Sequence, residues 1–368
     1  MTPIYIHHIT TSVPEHFYQQ NFLRDKMKQH ISNKRAIKSI IHRIYSNSGI
    51  EKRHAVVKDF NSNGHYPFFF QKDGSMATPS TGMRNAVYTT HARELFIQIA
   101  ESLIREHPVI EKEDITHVIT VSCTGFFAPG PAYEVVKHLG LSSSTQRFHL
   151  GFMGCFAAFP ALKMAQAFCK AQPDSVVMII CLELCSIHFQ TSEKTDNLIS
   201  ASVFADGGAG VLVSAQQPQG SSYRLEQFAT SIAEKSRDDM AWTIGDTGFD
   251  MVLSTYVPDI IASNLQRAVR PLLETYNINH KHIDHWAVHP GGRSILDKIE
   301  KEFNLCSTKL ESSRSILSNY GNMSSATILF VLKHLLERAH KQAEEKVVAM
   351  AFGPGLTIET GFFTKLNN

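Results

Sequence analysis

The chain repeats itself, and that repeat narrows its possible folds more than any other feature. Ile115-x-His117-Val118-x-x-Val121 is echoed by Ile283-x-His285-Trp286-x-Val288, and each segment runs through a Gly/Pro turn into a helical pattern. Those patterns end in Leu139-Gly140-Leu141 and Phe303-Asn304-Leu305. A second echo sets the stretch from Cys155 to Ile180 beside 323–351, with Val176-Val177-Met178 answered by Val347-Val348-Ala349. The copies lie about 170 residues apart, the mark of one supersecondary unit used twice. Strands alternating with helices in both copies predict an α/β fold of mostly parallel, buried strands covered by helices. The polar stretch Gln216-Gln217-Pro218-Gln219-Gly220-Ser221-Ser222 is the natural seam, giving an N-terminal half over 1–215 and a C-terminal half over 223–368. With 368 residues and 43% hydrophobic content, the chain can bury a large core.

Within that frame, a strand is expected over 1–12, a helix from Asn33 to Tyr45, and, after Thr78-Pro79-Ser80-Thr81, a long helix reaching about Glu106. Further strands are expected over 115–121 and 175–182. The basic run Lys52, Arg53, His54 and Lys58 reads either as a solvated face or as a docking site for a phosphorylated ligand. The 36 basic and 34 acidic side chains nearly cancel, so no overall field points to nucleic acid. Six cysteines without a C-x-x-C pair fit a reducing compartment better than a disulfide framework or a zinc site. The start has no basic segment followed by an apolar stretch, and no apolar run is long enough to span a bilayer. The expectation is a cytoplasmic protein with no membrane span, no nucleic-acid partner and no metal.

The chemistry-bearing stretch is Gly151-Phe152-Met153-Gly154-Cys155-Phe156-Ala157-Ala158-Phe159-Pro160, a thiol behind a glycine turn and ahead of a helical pattern over 156–170. A cysteine at a helix N-terminus is expected to ionise below its free pKa of about 8.5. The alternative is a buried cysteine acting as a small hydrophobe. The repeat places the counterpart of Cys155 at Gly321-Asn322-Met323, again at a helix start. His289 ends the strand Trp286-Ala287-Val288, where α/β proteins usually put chemistry. Taken singly, His289 reads as a strand-end imidazole and Asn322 as a helix cap. As a trio positioned by one repeat, Cys155, His289 and Asn322 read as catalytic.

These motifs resemble the type III polyketide synthases, the chalcone synthase-like family of the thiolase superfamily, in a bacterial-type form. The resemblance covers nearly the whole chain. It is carried by Asn319-Tyr320-Gly321-Asn322-Met323-Ser324-Ser325-Ala326, His289-Pro290-Gly291-Gly292, Gly154-Cys155-Phe156-Ala157 and Phe352-Gly353-Pro354-Gly355-Leu356-Thr357, with Thr78-Pro79-Ser80-Thr81 and Phe204-Ala205-Asp206-Gly207. It implies a thiolase-like homodimer of duplicated αβαβα layers with pseudo-two-fold symmetry, acting on CoA thioesters without a cofactor. Cys155, His289 and Asn322 become its catalytic triad. An acyl starter from CoA loads onto the cysteine, malonyl-CoA is decarboxylated, and iterative Claisen condensations end in cyclisation to a resorcinol, pyrone or phloroglucinol-type product.

By the same resemblance Phe204 is a gatekeeper and Ser324 a cavity residue, while Gly353, Pro354 and Gly355 form a loop shaping the cavity. Met251 stands where a second gatekeeper Phe is common, Ala128 where a methionine crosses the dimer interface, and Cys123 where bacterial members carry a second cysteine. A flexible Met and a small Ala predict room for a bulkier chain, which Phe126 and Phe127 could refill. Lys52 and Arg53 are the candidates for docking CoA phosphates, with Gly291, Gly292 and Ser294 by the pantetheine tunnel. The competing readings are a ketoacyl carrier-protein synthase III-like enzyme making one condensation from a carrier-protein donor, a thiolase, a papain-like protease, and a non-catalytic dimeric partner of another synthase.

Overall fold

The computed structural model describes residues 2–61, 68–71, 75–107, 109–234, 236–338 and 342–367. The first half runs β1 (Tyr5–Ser12), β2 (Phe17–Gln19), α1 (Gln20–His30), α2 (Arg35–Ser46), β3 (Lys52–His54), α3 (Thr81–Glu106), β4 (His117–Ser122), α4 (Pro131–Leu139), β5 (Gln146–Gly151), α5 (Ala158–Ala171), β6 (Val176–Leu184), α6 (Thr195–Val203) and β7 (Asp206–Ser214). The second runs β8 (Ser222–Ile232), β9 (Met240–Gly245), β10 (Gly248–Leu253), α7 (Val257–Thr275), β11 (His285–Val288), α8 (Arg293–Glu302), α9 (Glu311–Tyr320), α10 (Thr327–Leu336), β12 (Glu344–Gly353) and β13 (Thr357–Leu366). Local chemistry sets several ends. Ser80 caps α3 by accepting from the Met83 N–H, and α4 begins on Pro131 and stops at left-handed Gly140.

Among the described residues, nine strands join in the order β11-β12-β13-β8-β1-β7-β6-β4-β5. Outward from the central β1–β8 pair, one half reads β1-β7-β6-β4 and the other β8-β13-β12-β11. The senses match as well: β6 pairs β4 in parallel as β12 pairs β11, while β7 and β13 are antiparallel to both their neighbours. The duplication read from the sequence is thus a pseudo-two-fold relation in the sheet. The expected mostly parallel arrangement does not hold. Only β4–β5, β4–β6 and β11–β12 are parallel among the described pairs, because the last strand of each half turns back beside its predecessor instead of crossing over.

Successive strand residues face opposite sides, and this alternation creates the layers. Val121 and Ile179 from one half, with Val347 and Ala349 from the other, share a core with α5 and α10. Their neighbours Val118 and Met178 pack under α3, and Val348 and Met350 under α7. The result is helix, sheet, helix, sheet, helix: the duplicated αβαβα arrangement. Helix α10 is buried on every side through its first two turns, as a helix in the middle layer must be. Among the described residues no helix is long and apolar enough to cross a membrane.

Candidate active site

Cys155 precedes α5 by three residues, in a turn that only glycine permits. Gly154 has φ +85°, and a Cβ there would sit 2.3 Å from Pro354 Cδ. Gly353 makes the reciprocal approach: a Cβ on it would meet the Phe156 ring at 2.5 Å and the Cys155 nitrogen at 3.4 Å. The loop Gly353-Pro354-Gly355 therefore packs directly behind the thiol.

Asn322 is held through both backbone and side chain. Its N–H donates to Val203 O at 2.9 Å, and its carbonyl accepts from the Ala205 N–H at 2.9 Å, a bridge between Phe204 and Asn322. The side-chain Oδ1 accepts from the Ser324 N–H at 2.9 Å and lies 4.0 Å from Cys155 Sγ. Because a backbone N–H can only donate, this bond fixes which end of the amide is oxygen. Nδ2 donates one hydrogen to Gly291 O at 3.3 Å, and its second N–H has no acceptor among the described residues.

His289 follows β11 and is positioned by its own N–H, which donates to Met350 O at 2.8 Å. The side chain is 1% exposed, yet neither ring nitrogen has a partner among the described residues. Buried polar atoms are almost always paired, so an orphaned imidazole points to a ligand-facing role.

All three side chains line one cavity of about 550 Å³. Cys123, Phe204, Met251, Ser324, Gly291, Gly292, Ser294 and Pro354 line it too. Gly353 and Gly355 stand behind the wall and do not line it, and Ala128 is exposed on a loop away from it. The expected phosphate-docking role of Arg53 is corrected. Its side chain is buried, donating to Gln20 Oε1 at 3.0 Å, Ala201 O at 2.9 Å and Phe204 O at 2.6 Å. Those acceptors come from distant parts of the chain and hold Nε and Nη1 inside the fold, away from the lining of the Cys155 cavity. Lys52 is half-buried with its ammonium over the Phe17 ring, away from the cavity lining. The exposed basic group that does line the cavity is Arg293, paired with Asp297 at 3.5 Å.

The expectation of a lowered Cys155 pKa also needs correction. Burial pushes the isolated thiol up to about 12 and the His289 imidazole down to about 3. Desolvation leads in both cases, and α5 begins too far along the chain to offset it. Each group taken alone is therefore neutral near pH 7.

Glu183 behind the wall, the hairpin partners of Met251, and Cys185 escaped the sequence reading. Glu183 is fully buried and accepts from the Cys123 N–H at 2.9 Å, Thr124 Oγ1 at 2.9 Å and Ser325 Oγ at 2.6 Å, so it ties the end of β4 to the turn before α10. Burial raises its carboxyl to about 7. Its signal was available: a lone carboxylate inside the apolar run Val176–Leu184. The hairpin β9–β10 places the cross-strand pairs Trp242–Met251 and Met240–Leu253 on the cavity, with the Trp242 indole N–H donating to Cys123 O at 3.0 Å. Cys185, after β6, also faces the cavity.

Comparison with known proteins agrees with this geometry. The pattern of the family described as "Chalcone and stilbene synthases, N-terminal domain" matches residues 3–217, and that of the corresponding C-terminal domain matches residues 224–366. The chain is 28% identical over 373 aligned residues to "Probable polyketide synthase 1" of Dictyostelium discoideum, a match spanning 97% of this chain but 11% of that much longer protein. It is 34% identical over 262 residues to "Putative chalcone synthase" of Bacillus subtilis (strain 168), covering 69% of this chain and 72% of the relative. Its fold superposes on the crystal structure of PKS-I from the brown alga Ectocarpus siliculosus with a TM-score of 0.92, at 28% identity, over 100% of this chain and 99% of the other. A duplicated fold, a thiol, an imidazole and an amide on one cavity, and family patterns matched across both halves lead to one conclusion: the chain belongs to the chalcone and stilbene synthase family, the type III polyketide synthases of the thiolase superfamily.

Proposed function

We propose that the protein is a decarboxylating condensing enzyme that loads an acyl starter from CoA onto Cys155 and extends it with malonyl-CoA. The observation that carries this reading is the buried His289 imidazole, without a partner among the described residues, on the same cavity as Cys155 and Asn322. Loading exchanges one thioester for another: Sγ attacks the acyl-CoA carbonyl, the CoA thiolate leaves, and the proton from Sγ goes to it by way of His289. Malonyl-CoA then loses CO₂, and the C–C bonding electrons become an enolate, so no strong base is required. The His289 and Asn322 N–H groups stabilise charge on the thioester oxygen, each worth ~10²- to 10³-fold in rate. The enolate carbon attacks acyl-Cys155, the cysteine thiolate departs, and the longer chain sits on CoA, ready to reload.

Gly291, Gly292, Ser294 and Arg293 border the route for the CoA arm, and the exposed segment with Phe126 and Ala128 is where a second copy would dock to form a homodimer. The test is incubation of the purified protein with malonyl-CoA and a panel of short, long and aromatic acyl-CoAs, followed by intact-protein and product mass analysis. Acylation of Cys155 with chains lengthened by two carbons per condensation is the expected result. An unacylated cysteine and untouched malonyl-CoA overturn the reading, whereas turnover only with a carrier-protein thioester indicates a synthase III-like enzyme.

A further inference from the structure

Positive charge is gathered on one part of this chain. From Gln20 to Ser46 seven Lys and Arg side chains stand against the single acid Asp25, a net +6, whereas the whole chain carries +2, so the remaining residues carry −4. These residues build the α1–α2 hairpin, two helices packed side by side with Arg24 Nη1 donating to Ser46 Oγ at 3.4 Å. Arg24 and Lys28 share Asp25, and Lys34 pairs with Glu193. Lys26, Arg35, Lys38 and Arg43 have no carboxylate partner among the described residues. Helix α2 buries Ile41 and Tyr45 and turns Arg35, Ser39, His42 and Arg43 to solvent.

This charged face borders the mouth of the Cys155 cavity. The exposed residues of the cavity lining are Asn47, Thr255, Arg293, Ser294 and Asp297, so the opening lies where they meet. Helix α2 ends at Asn47, and Gly49 comes so near the far rim that a Cβ on it would meet Arg293 Cβ at 3.4 Å. Behind these polar residues Ile44, Leu253, Val257 and Ile295 give the lining hydrocarbon walls. Tyr256, next to Thr255, is 68% exposed, a ring with an apolar body and a wet hydroxyl that suits the boundary between water and lipid.

The extent of the charge selects the partner. With 12 residues α2 is about 18 Å long, and with α1 beside it the cations cover more area than the phosphates of one nucleotide can neutralise. They match negative charge repeated over a surface. An acidic protein would supply that charge but would have no use for an apolar opening and an exposed tyrosine, whereas a bilayer of anionic lipids uses all three.

We infer that the α1–α2 face docks on an anionic lipid surface and holds the cavity mouth at the level of the headgroups, where hydrocarbon cargo passes between bilayer and cavity. The attachment is electrostatic and reversible. Each basic side chain brought to such a surface strengthens it roughly fivefold, and salt screens the attraction.

The test is co-sedimentation of the full chain with vesicles of phosphatidylcholine alone or with about 30% phosphatidylglycerol, at about 0.1 M and about 0.5 M salt. Binding to the anionic vesicles only, lost at the higher salt, is the expected result. Replacing an attracted cation by a repelled anion counts twice, so Lys26→Glu should weaken binding by about tenfold and Arg35→Glu with Lys38→Glu by about a hundredfold. Lys281→Glu with Lys346→Glu, exposed lysines of the C-terminal half, makes the same change in net charge and should leave vesicle binding within about twofold of the unaltered protein. Titration with malonyl-CoA in the absence of vesicles should give the same affinity in all these proteins. No binding to anionic vesicles, or equal weakening by the C-terminal pair, overturns the inference. So does loss of malonyl-CoA affinity in Arg35→Glu with Lys38→Glu, which would make the face a nucleotide site, and so does salt-sensitive binding to an acidic carrier protein without binding to vesicles. Sedimentation is read without turnover, so its outcome is separate from that of the condensation reaction.

Discussion

Phe204 and Asn322 are joined by a short parallel bridge: Asn322 donates to Val203 O and accepts from the Ala205 N–H, both at 2.9 Å. The wall that shapes the cavity and the amide that faces Cys155 are therefore parts of one hydrogen-bonded unit, drawn from the two halves of the duplicated chain. Arg53 locks the unit from below. It donates to Phe204 O, and its side chain lies so close under Gly321 that a Cβ there would meet Arg53 Cγ at 2.9 Å.

Arg53→Met is expected to lower stability by about 3 kcal/mol, because it leaves Gln20 Oε1 and the half-buried Ala201 and Phe204 carbonyls without their charged donor. Chemical denaturation measures this. The same variant should broaden the product distribution without raising the KM for malonyl-CoA selectively; a KM effect alone, at unchanged stability, would return Arg53 to a docking role.

The two cavity cysteines should behave differently. Cys155→Ala abolishes acyl loading, read as loss of the acyl mass increment. Cys123 accepts the Gly154 N–H at 3.1 Å and its thiol is held protonated by burial beside Glu183, so Cys123→Ala leaves loading intact and alters products at most. Equal loss of loading in both variants contradicts these roles.

Cys155 and His289 line one cavity, and burial alone drives each toward its neutral form, to about 12 and about 3. A thiolate–imidazolium pair formed there would relieve both desolvation costs, and the two groups are then expected to titrate as a pair. Iodoacetamide labelling should accordingly depend weakly on pH between about 6 and 8 in the unaltered protein. In His289→Ala the thiol loses its counter-charge and stays protonated until high pH. Labelling at pH 7 should slow by about tenfold or more and then rise about tenfold per pH unit. Matching profiles for the two proteins would show that no such pair forms.

Gly154→Ala combines a left-handed backbone with a contact of 2.3 Å to Pro354 Cδ. A loss of about 2 kcal/mol in stability and at least about tenfold in kcat is expected. Adding Pro354→Ala removes the ring that clashes but not the φ strain, so the double variant should recover part of the loss. A double variant no better than the single one would place the whole effect in the backbone.

The duplication, the strand-to-helix order of each half, and the grouping of Cys155, His289 and Asn322 follow from the order of residues. These were legible because a repeat fixes relative position: the turn before α10 answers the turn before α5, bringing Asn322 to Cys155, while His289 ends the strand that answers β4. Long-range packing set the remainder. Strand sense depends on which distant strand each one meets, so apolar runs that looked parallel became antiparallel where β7 and β13 turn back. Arg53 looked like a solvent-facing cation because its partners, the carbonyls of Ala201 and Phe204, lie far along the chain. The ionisation of Cys155 turned on how completely the assembled layers exclude water. Burial is a property of the whole fold, whereas local sequence reports only the helix that follows.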